Sequence, residues 1–224
     1  MSMTIIAPSI LSADPARLAA EIEAIEAAGA DWLHIDIMDG HFVPNLTFGP
    51  WAVEMARKLT KMTLDVHLMV ADPLTYGPVF ARAGADYVSA HVETTPHLHL
   101  TLDSIKKAGA KVGLAFNPLT PLNHLDDALE LLDLIVLMGV NPGWPGQTFI
   151  PGTLERIKKT SQIIQANGLS PKVLIEVDGG VAPSNAFALQ KAGATVLVSG
   201  SYLFKSPDYG KAIASLRLNS DSKA

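Results

Sequence analysis

One short segment of the sequence places groups that bind metals or transfer protons among aliphatic residues. It reads LHIDIMD, with His34 and Asp36 set between Leu33, Ile35 and Ile37. Side chains of a β-strand alternate between its two faces, so the imidazole and the carboxylate point one way and the aliphatic groups the other. A buried strand with this pattern presents reactive groups on a single face.

The same alternation recurs in later segments. LDVHLMV places Asp65, His67 and Met69 on one face, and VLIEVDGG places Glu176 and Asp178 together. A fourth segment offers Ser89, His91 and Glu93 at the same spacing.

Two imidazoles and two carboxylates from these segments form a nitrogen and oxygen ligand set. Such a set suits Zn²⁺, Fe²⁺, Mn²⁺ or Co²⁺, and a divalent cation relieves the repulsion between two nearby carboxylates. The four side chains are His34, Asp36, His67 and Asp178. A buried polar network is the alternative, but four such residues on three different segments favour one divalent metal site.

The elements that carry these segments repeat along the chain. Ala-Gly-Ala precedes four apolar stretches, and its glycines are Gly29, Gly84, Gly109 and Gly193, separated by 55, 25 and 84 residues. Those gaps are near two, one and three multiples of about 28 residues, a length that suits one helix and one strand. Each glycine ends an amphipathic stretch, where a left-handed helix cap is favoured.

Eight apolar stretches alternate with helical patterns. We predict strands near residues 4–9, 32–37, 63–68, 86–91, 111–116, 133–138, 172–177 and 195–199. Eight strand–helix units indicate a parallel (β/α)₈ TIM barrel with minimal decoration, forming one domain over residues 1–224. An open doubly wound sheet is disfavoured because Pro8-Ser9-Ile10, not a glycine-rich turn, follows the first strand. Gly77 and Pro78 predict a kink or a restart in the third helix.

Glycine-rich loops follow the last three predicted strands. They contain NPGWPGQ at 141–147, then Gly179-Gly180, then Gly200-Ser201. In barrels, catalytic groups lie at the carboxyl ends of the strands, and the loops after strands seven and eight often bind phosphate. No cluster of Lys or Arg lies at these ends. We therefore expect backbone amides and Ser201 to hold such an anion.

Composition excludes several classes of protein. Hydrophobic residues make up 48% and charged residues 17%, which indicates a compact chain, and the net charge of −5 argues against a nucleic-acid binder. The absence of cysteine excludes thiolate sites. With no secretory signal and no apolar run long enough to span a bilayer, we expect a cytoplasmic protein without membrane contact.

Six motifs resemble those of the ribulose-phosphate 3-epimerase family, in the same order and over nearly the whole chain. They are APSILSAD at 7–14, HIDIMDGHFVPN at 34–45, DVHLMV at 65–70, VNPGWPGQTFIP at 140–151, EVDGGV at 176–181 and GSYLF at 200–204. The resemblance implies a TIM barrel with one divalent metal that interconverts the sugar phosphates ribulose 5-phosphate and xylulose 5-phosphate. It also implies carbohydrate metabolism, through the pentose phosphate pathway or the Calvin cycle, and a homo-oligomer.

The resemblance further implies a role for each matching residue. His34, Asp36, His67 and Asp178 would be metal ligands, with Asp36 and Asp178 also the acid/base pair on opposite faces of the substrate. Ser9 and His67 would contact the sugar, and Met38, Met69 and Met138 would line the reacting carbon. Gly143, Gly146, Gly179, Gly180, Gly200 and Ser201 would hold the phosphate. Carbon 3 would lose a proton and regain one on the other face through an ene-diolate that the metal stabilises.

Three features differ from the usual family pattern. The lid-like loop 139–149 contains Gly-Trp-Pro-Gly where Gly-Phe-Gly-Gly is common, Gly139 replaces a hydroxyl residue, and Gly77-Pro78 interrupts a helix. These differences keep an epimerase of a hexulose phosphate, such as allulose 6-phosphate, as the alternative.

Two other activities fit the sequence less well. A related decarboxylase usually carries Asp-x-Lys-x-x-Asp, whereas this chain has Asp65-Val66-His67. A non-catalytic sugar-phosphate-binding barrel has no need for two carboxylates on opposite faces of its ligand.

Overall fold

The computed structural model describes residues 4–217, and its centre is one sheet of eight parallel strands. The strands, β1 to β8 in chain order, are Ile5–Pro8, Trp32–Met38, Thr63–Met69, Tyr87–His91, Lys111–Phe116, Leu134–Met138, Leu174–Asp178 and Val196–Ser199. Each boundary lies within two residues of the predicted one. The eight strand predictions are therefore confirmed.

The strands form a nearly closed barrel. They pair in the order β1-β8-β7-β6-β5-β4-β3-β2, and an isolated bridge between Ser9 and His34 joins the two ends of this order. The α-helices of residues 4–217, α1 to α9, are Leu18–Ala27, Pro50–Leu59, Pro73–Arg82, Leu98–Lys107, Leu125–Ala128, Thr153–Ala166, Pro183–Ala192, Ser201–Phe204 and Tyr209–Leu216. None of these helices is both long enough and apolar enough to cross a bilayer. The alternation of strands and helices confirms the (β/α)₈ TIM barrel.

The repeated glycines end helices as predicted. Gly29, Gly84, Gly109 and Gly193 follow α1, α3, α4 and α7 with φ of 92°, 114°, 104° and 117°. These values lie in the left-handed region that glycine adopts without strain, so each glycine turns the chain from a helix into the next strand.

Aspartates at the amino ends of β2, β4 and β6 tie the strands together in pairs. Each carboxylate accepts the backbone N–H of the strand before it: Asp31 from Ile6 at 2.8 Å, Asp86 from Leu64 at 2.8 Å and Asp133 from Val112 at 3.0 Å. Backbone donors at the start of odd-numbered strands are thereby satisfied, which holds the amino rim of the barrel in register.

Helix α3 runs through Gly77 and Pro78 without interruption, so the predicted restart is wrong, while a kink there stays a prediction. A Cβ on Gly77 would lie 2.5 Å from the side chain of Ile105 in α4. Glycine therefore permits the close contact between the two helices, and this packing keeps the helix continuous despite the hydrogen bond that proline cannot make.

The two faces of the sheet have different environments. Leu33, Ile35 and Ile37 of β2 belong to the apolar core between sheet and helices. Inside the barrel, the first inward residue of each even-numbered strand is apolar, and we call these residues the barrel floor: Trp32, Tyr87, Leu134 and Val196. The rings of Trp32 and Tyr87 stack with centroids 4.6 Å apart. The floor closes the amino end of the barrel, and the polar inward residues lie above it.

Candidate active site

Four buried side chains from β2, β3 and β7 meet at the carboxyl end of the barrel. Candidate ligand atoms of His34, Asp36, His67 and Asp178 all lie within 4.8 Å of one another. Asp36 Oδ1 lies 3.4 Å from His34 Nε2 and 3.5 Å from His67 Nδ1. Asp178 Oδ2 lies 3.4 Å from His67 Nδ1 and 4.0 Å from His34 Nε2. We call this group the metal-site cluster.

The metal-site cluster leaves buried nitrogens without hydrogen bonds. His34 Nε2 and His67 Nδ1 are both inaccessible to solvent, and neither has a hydrogen-bond partner. An unpaired buried polar atom costs free energy, so such atoms mark a place where another group belongs. Two free imidazole nitrogens facing two carboxylates fit a divalent cation, and this group could hold one.

Charge coupling in the metal-site cluster shifts the pKa of its members. Burial opposes ionisation of Asp36, but His34 and His67 outweigh burial and hold the pKa of that carboxyl well below its usual range. Burial likewise lowers the pKa of the two imidazoles, and the neighbouring carboxylates outweigh it. Asp36 and Asp65 raise the pKa of His34, while Asp178 and Asp36 raise that of His67. The cluster therefore favours an ionised Asp36 beside positively charged imidazoles.

Two further carboxyl groups lie one step deeper in the barrel. Asp65 Oδ2 is 2.6 Å from His34 Nδ1, and Glu176 Oε1 is 3.7 Å from the same atom. Both residues are fully buried, and neither oxygen of Glu176 has a hydrogen-bond partner. Burial and the charge of Asp65 raise the pKa of Glu176 well above its usual range. Alternate spacing placed both residues on the inward face, but the sequence interpretation assigned neither a role.

The imidazole of His91, outside the metal-site cluster, contacts that of His67. His91 Nε2 lies 2.9 Å from His67 Nε2, and His91 Nδ1 lies 3.0 Å from Glu93 Oε2. Burial lowers the pKa of His91 to about 4, against the opposing effect of Glu93. Glu93 accepts hydrogen bonds from the backbone N–H of Asn117 and from the hydroxyl of Thr120, which stabilise its charged form. These residues also had no role in the sequence interpretation.

A cavity of about 220 Å³ opens above the metal-site cluster. Asp36 and Asp178 line it, together with ten other residues predicted for the substrate site: Ser9, Met38, Met69, Met138, Gly143, Gly146, Gly179, Gly180, Gly200 and Ser201. His34 and His67 are fully buried and do not line the cavity. The structure thus brings the predicted residues together, and the contact of the buried His67 with the sugar stays a prediction.

Two serines from the segment after β1 reach the site. The hydroxyl of Ser9 donates to Asp36 Oδ2 at 2.5 Å, so it holds this carboxylate as well as lining the cavity. Ser12 also lines the cavity, with its hydroxyl 3.3 Å from that of Ser201. The sequence interpretation assigned no role to Ser12, although it lies within the motif at 7–14. Its position becomes visible only when the loops after β1 and β8 meet.

The loop between β6 and α6 covers one side of the cavity and is held by side-chain amides. Asn45 Nδ2 donates to the carbonyl of Gly143 at 3.0 Å, and Gln147 Nε2 donates to the carbonyls of Asn141 and Trp144 at 2.6 and 3.0 Å. The Trp144 side chain lines the cavity and is half-exposed. Hydrogen bonds therefore hold the loop to itself and to the loop after β2.

Gly139, at the start of this loop, has no room for a side chain. A Cβ there would lie 2.2 Å from the carbonyl oxygen of Gly179 and 2.9 Å from the ring of Phe149. The loop packs so closely against the turn after β7 that only glycine fits at this position.

Comparison with known proteins identifies the family. The model of the ribulose-phosphate 3 epimerase family matches residues 5–204. The chain belongs to the ribulose-phosphate 3-epimerase family. A ribulose-phosphate 3-epimerase from Synechocystis is 52% identical over 215 residues, covering 95% of this chain and 93% of the relative. One from Bacillus subtilis is 49% identical over 212 residues, covering 95% and 97%.

A plant relative carries a similar name. A chloroplastic ribulose-5-phosphate-3-epimerase from Arabidopsis thaliana is 46% identical over 215 residues, covering 95% of this chain and 76% of the relative. The predicted family, the isomerase class and the epimerase activity are confirmed by these likenesses.

More distant solved structures share the fold. A structure of KGPDC from Streptococcus mutans superposes with a TM-score of 0.72 at 14% identity, covering 94% of each chain. An orotidine 5'-phosphate decarboxylase from Pyrococcus horikoshii has a TM-score of 0.66 at 18% identity, covering 95% of this chain and 97% of the other. At these identities the likeness supports the barrel architecture alone.

Proposed function

We propose that this chain interconverts ribulose 5-phosphate and xylulose 5-phosphate, with Asp36 and Asp178 exchanging the proton at carbon 3. The observation that carries the proposal is that both carboxylates line one cavity and lie close to two buried imidazoles. Epimerisation needs a base on one face of the carbon and an acid on the other, and two aspartates around one cavity fit that need.

His34, Asp36, His67 and Asp178 are the proposed ligands of one divalent cation, of the class Zn²⁺, Fe²⁺, Mn²⁺ or Co²⁺. The two imidazole nitrogens without hydrogen bonds support this assignment, and because the chain has no cysteine, no thiolate ligand narrows the choice among these cations. When bound, such a cation supplies a Lewis acid that stabilises negative charge developing on the substrate oxygens.

The two aspartates exchange roles with the direction of the reaction. In the proposed mechanism, one ionised carboxylate takes the proton from carbon 3 and the other carboxyl group, protonated, returns a proton to the opposite face. The hydroxyl of Ser9 donates to Asp36 Oδ2 and orients that carboxylate. Met38, Met69 and Met138 line the same cavity, and their apolar side chains keep water from protonating the ene-diolate at random.

The phosphate group of the substrate belongs at the glycine-rich end of the cavity. Gly179, Gly180, Gly200 and Ser201 line this end, and no lysine or arginine is among the lining residues of the described chain. We assign phosphate binding to backbone amides and to the Ser201 hydroxyl, because amides without neighbouring side chains approach an anion closely.

Hydrogen exchange in deuterated water tests the acid/base assignment. In Asp178→Asn and in Asp36→Asn, net epimerisation falls about 10²- to 10⁴-fold, because one proton-transfer partner is lost. The remaining aspartate still exchanges the carbon 3 proton of a single epimer, and the two variants exchange opposite epimers. The measurement is deuterium incorporation into each pentulose phosphate by NMR, with metal content determined for every variant.

Asp133→Asn is the matched control, since this aspartate binds the backbone of Val112 at the amino end of the barrel. It keeps the rate of the unsubstituted protein. Unchanged turnover in Asp178→Asn contradicts the acid/base assignment. Absence of exchange into any substrate in the unsubstituted, metal-loaded protein would leave only a sugar-phosphate-binding barrel.

The pentulose preference has its own test. Rates on ribulose 5-phosphate and allulose 6-phosphate are compared side by side with one defined metal. We expect the pentulose to react faster, as the names of the relatives indicate. A faster reaction of the hexulose would point to the Trp144 and Pro145 loop as the cause.

A cytoplasmic location, a homo-oligomer and a single domain over residues 1–224 stay part of the proposal.

A further inference from the structure

The two histidines of the metal-site cluster face it through different ring nitrogens. His34 turns Nε2 towards Asp36 Oδ1 at 3.4 Å, whereas His67 turns Nδ1 towards Asp178 Oδ2 at 3.4 Å. Both nitrogens are buried without a hydrogen-bond partner. A neutral imidazole binds a metal only through the nitrogen that lacks a proton. The two rings must therefore carry their protons on opposite nitrogens.

Asp65 determines the proton position on His34. Its Oδ2 lies 2.6 Å from His34 Nδ1, and both residues are inaccessible to solvent. A carboxylate oxygen accepts, so the proton of the ring lies on Nδ1 and the lone pair remains on Nε2. A ligating histidine that donates its other N–H to a carboxylate is a common arrangement in metal sites.

His91 and Glu93 determine the proton position on His67. His91 Nδ1 lies 3.0 Å from Glu93 Oε2, so a neutral His91 carries its proton on Nδ1. His91 Nε2 is then an acceptor, and it lies 2.9 Å from His67 Nε2. His67 must therefore donate from Nε2, which leaves the lone pair on Nδ1.

Glu93 is itself held in place from outside the barrel. Its Oε1 accepts from the backbone N–H of Asn117 at 2.8 Å and from the hydroxyl of Thr120. The ring of Phe42 covers His91 with centroids 4.7 Å apart. The chain of hydrogen bonds thus runs from a loop at the carboxyl rim, through two imidazoles, to the metal-site cluster.

We propose that Asp65 and the His91–Glu93 pair are positioning residues that select opposite ring nitrogens, Nε2 of His34 and Nδ1 of His67, as metal ligands. The inference rests on the proposed function, because it assumes that these two rings bind a cation. It assigns a task to three residues that neither line the cavity nor belong to the metal-site cluster.

The first test is NMR of the Zn²⁺-loaded protein labelled with ¹⁵N-histidine. The chain has seven histidines, and single substitutions assign the signals of His34, His67 and His91. Long-range ¹H–¹⁵N spectra distinguish the protonated, free and zinc-bound nitrogens of each ring. We expect zinc on Nε2 of His34 and Nδ1 of His67, with the proton of His91 on Nδ1. Zinc on Nε2 of His67 overturns the inference and leaves the proposed function standing.

The second test measures Zn²⁺ affinity by competition with a chromogenic chelator. Glu93→Ala frees His91 to carry its proton on either nitrogen, so the affinity falls roughly 10- to 100-fold. Glu93→Gln restores most of it, because the amide oxygen still accepts from His91 Nδ1. Asp65→Asn weakens binding to a similar extent, because its amide group can also donate to the ring and favour the wrong tautomer.

Glu155→Ala on the exposed face of α6 and Asp133→Asn at the amino rim are the matched controls, and both retain the affinity of the unsubstituted protein. Thermal unfolding identifies any variant that loses the fold, and the NMR test needs no variant at the positioning residues. Equal affinities for Glu93→Ala and the unsubstituted protein overturn the inference. A histidine spectrum that does not change when Zn²⁺ is added overturns both the inference and the proposed metal site.

Discussion

The two ends of the barrel interior are built in opposite ways. At the amino end, the barrel floor consists of apolar side chains, and the rings of Trp32 and Tyr87 stack on each other. At the carboxyl end, two imidazoles and two carboxylates share a space in which ligand atoms lie within 4.8 Å. Within residues 4–217, the floor is packed without unpaired buried polar atoms, whereas the metal-site cluster retains two unpaired buried nitrogens.

The amino end of the barrel interior therefore serves stability, and the carboxyl end serves the chemistry. Apolar packing at the floor stabilises the folded state, because the aromatic rings bury a large apolar surface in close contact. Buried charges at the other end cost free energy unless they are compensated, and they persist where function needs them. Substitutions at the two ends should therefore change different measured quantities.

Removal of the metal should have the largest effect. Dialysis against a strong chelator lowers the epimerisation rate at least about 100-fold, because charge on the reacting oxygens is no longer stabilised. Addition of Zn²⁺, Fe²⁺, Mn²⁺ or Co²⁺ restores it. The strands and helices are held by their own backbone hydrogen bonds and by apolar packing, so we expect the far-ultraviolet circular dichroism spectrum to stay unchanged. Full activity in a sample shown to be free of metal contradicts the proposed site.

Trp32→Ala should produce the largest loss of stability at the barrel floor. Trp32 is 7% exposed and stacks on Tyr87, so its truncation leaves a cavity and lowers the free energy of unfolding by about 3–5 kcal/mol. Zn²⁺ affinity stays within about twofold, because Trp32 belongs neither to the metal-site cluster nor to the groups that hydrogen-bond its imidazoles. Urea unfolding and chelator competition measure the two quantities. A loss of metal affinity as large as the loss of stability would show that the two ends are coupled.

Gly180→Ala should affect substrate binding more than the metal site. Gly180 has φ of 70°, and a Cβ there would lie 2.8 Å from the backbone of Phe149. The substitution displaces the loop after β6 and raises KM for the sugar phosphate about tenfold, which corresponds to about 1.4 kcal/mol. Zn²⁺ affinity is retained.

Gly29→Ala is the matched control for this effect. Gly29 also has a positive φ, of 92°, but a Cβ there would meet nothing within 4 Å, and it lies between α1 and β2. The substitution costs about 1–2 kcal/mol of stability through backbone strain and leaves KM unchanged. A similar KM in Gly180→Ala and the unsubstituted protein contradicts the assignment of the phosphate end.

The smallest expected effect concerns the pH dependence of stability at Glu93. Burial opposes its ionisation, but hydrogen bonds from His91, Thr120 and Asn117 outweigh burial and lower its pKa to about 2, from 4.5. A lowered pKa means that the folded state favours the ionised form. Its stabilisation is present above about pH 4.5 and is lost as the pH falls towards 2.

Glu93→Gln lacks this contribution, so its free energy of unfolding differs most from that of the unsubstituted protein above about pH 4.5. Urea unfolding at several pH values from about 7 to about 3 measures the difference. A difference that stays constant across this range contradicts the charge-based interpretation of the hydrogen bonds at Glu93.

Much of the barrel could be predicted from the chain alone. Alternation places residues on the inner or outer face of a strand, and the repeated Ala-Gly-Ala marks where a helix ends, because both depend on local backbone geometry. The continuity of α3 at Pro78 could not be predicted in this way. It depends on the contact between Gly77 and Ile105, which are 28 residues apart in the sequence.

The inward spacing of His34, Asp36, His67 and Asp178 was sufficient to predict that they would meet, because the strands of a barrel converge on one axis. The sequence also determined the family, since long motifs in a fixed order identify it. Which nitrogen of each ring faces the site, and which groups bind the other nitrogen, depended on neighbours from other strands. Only the tertiary structure decided these points. Hydrogen bonds such as that between His67 and His91 join side chains of different strands, and the sequence does not give the orientation of either ring.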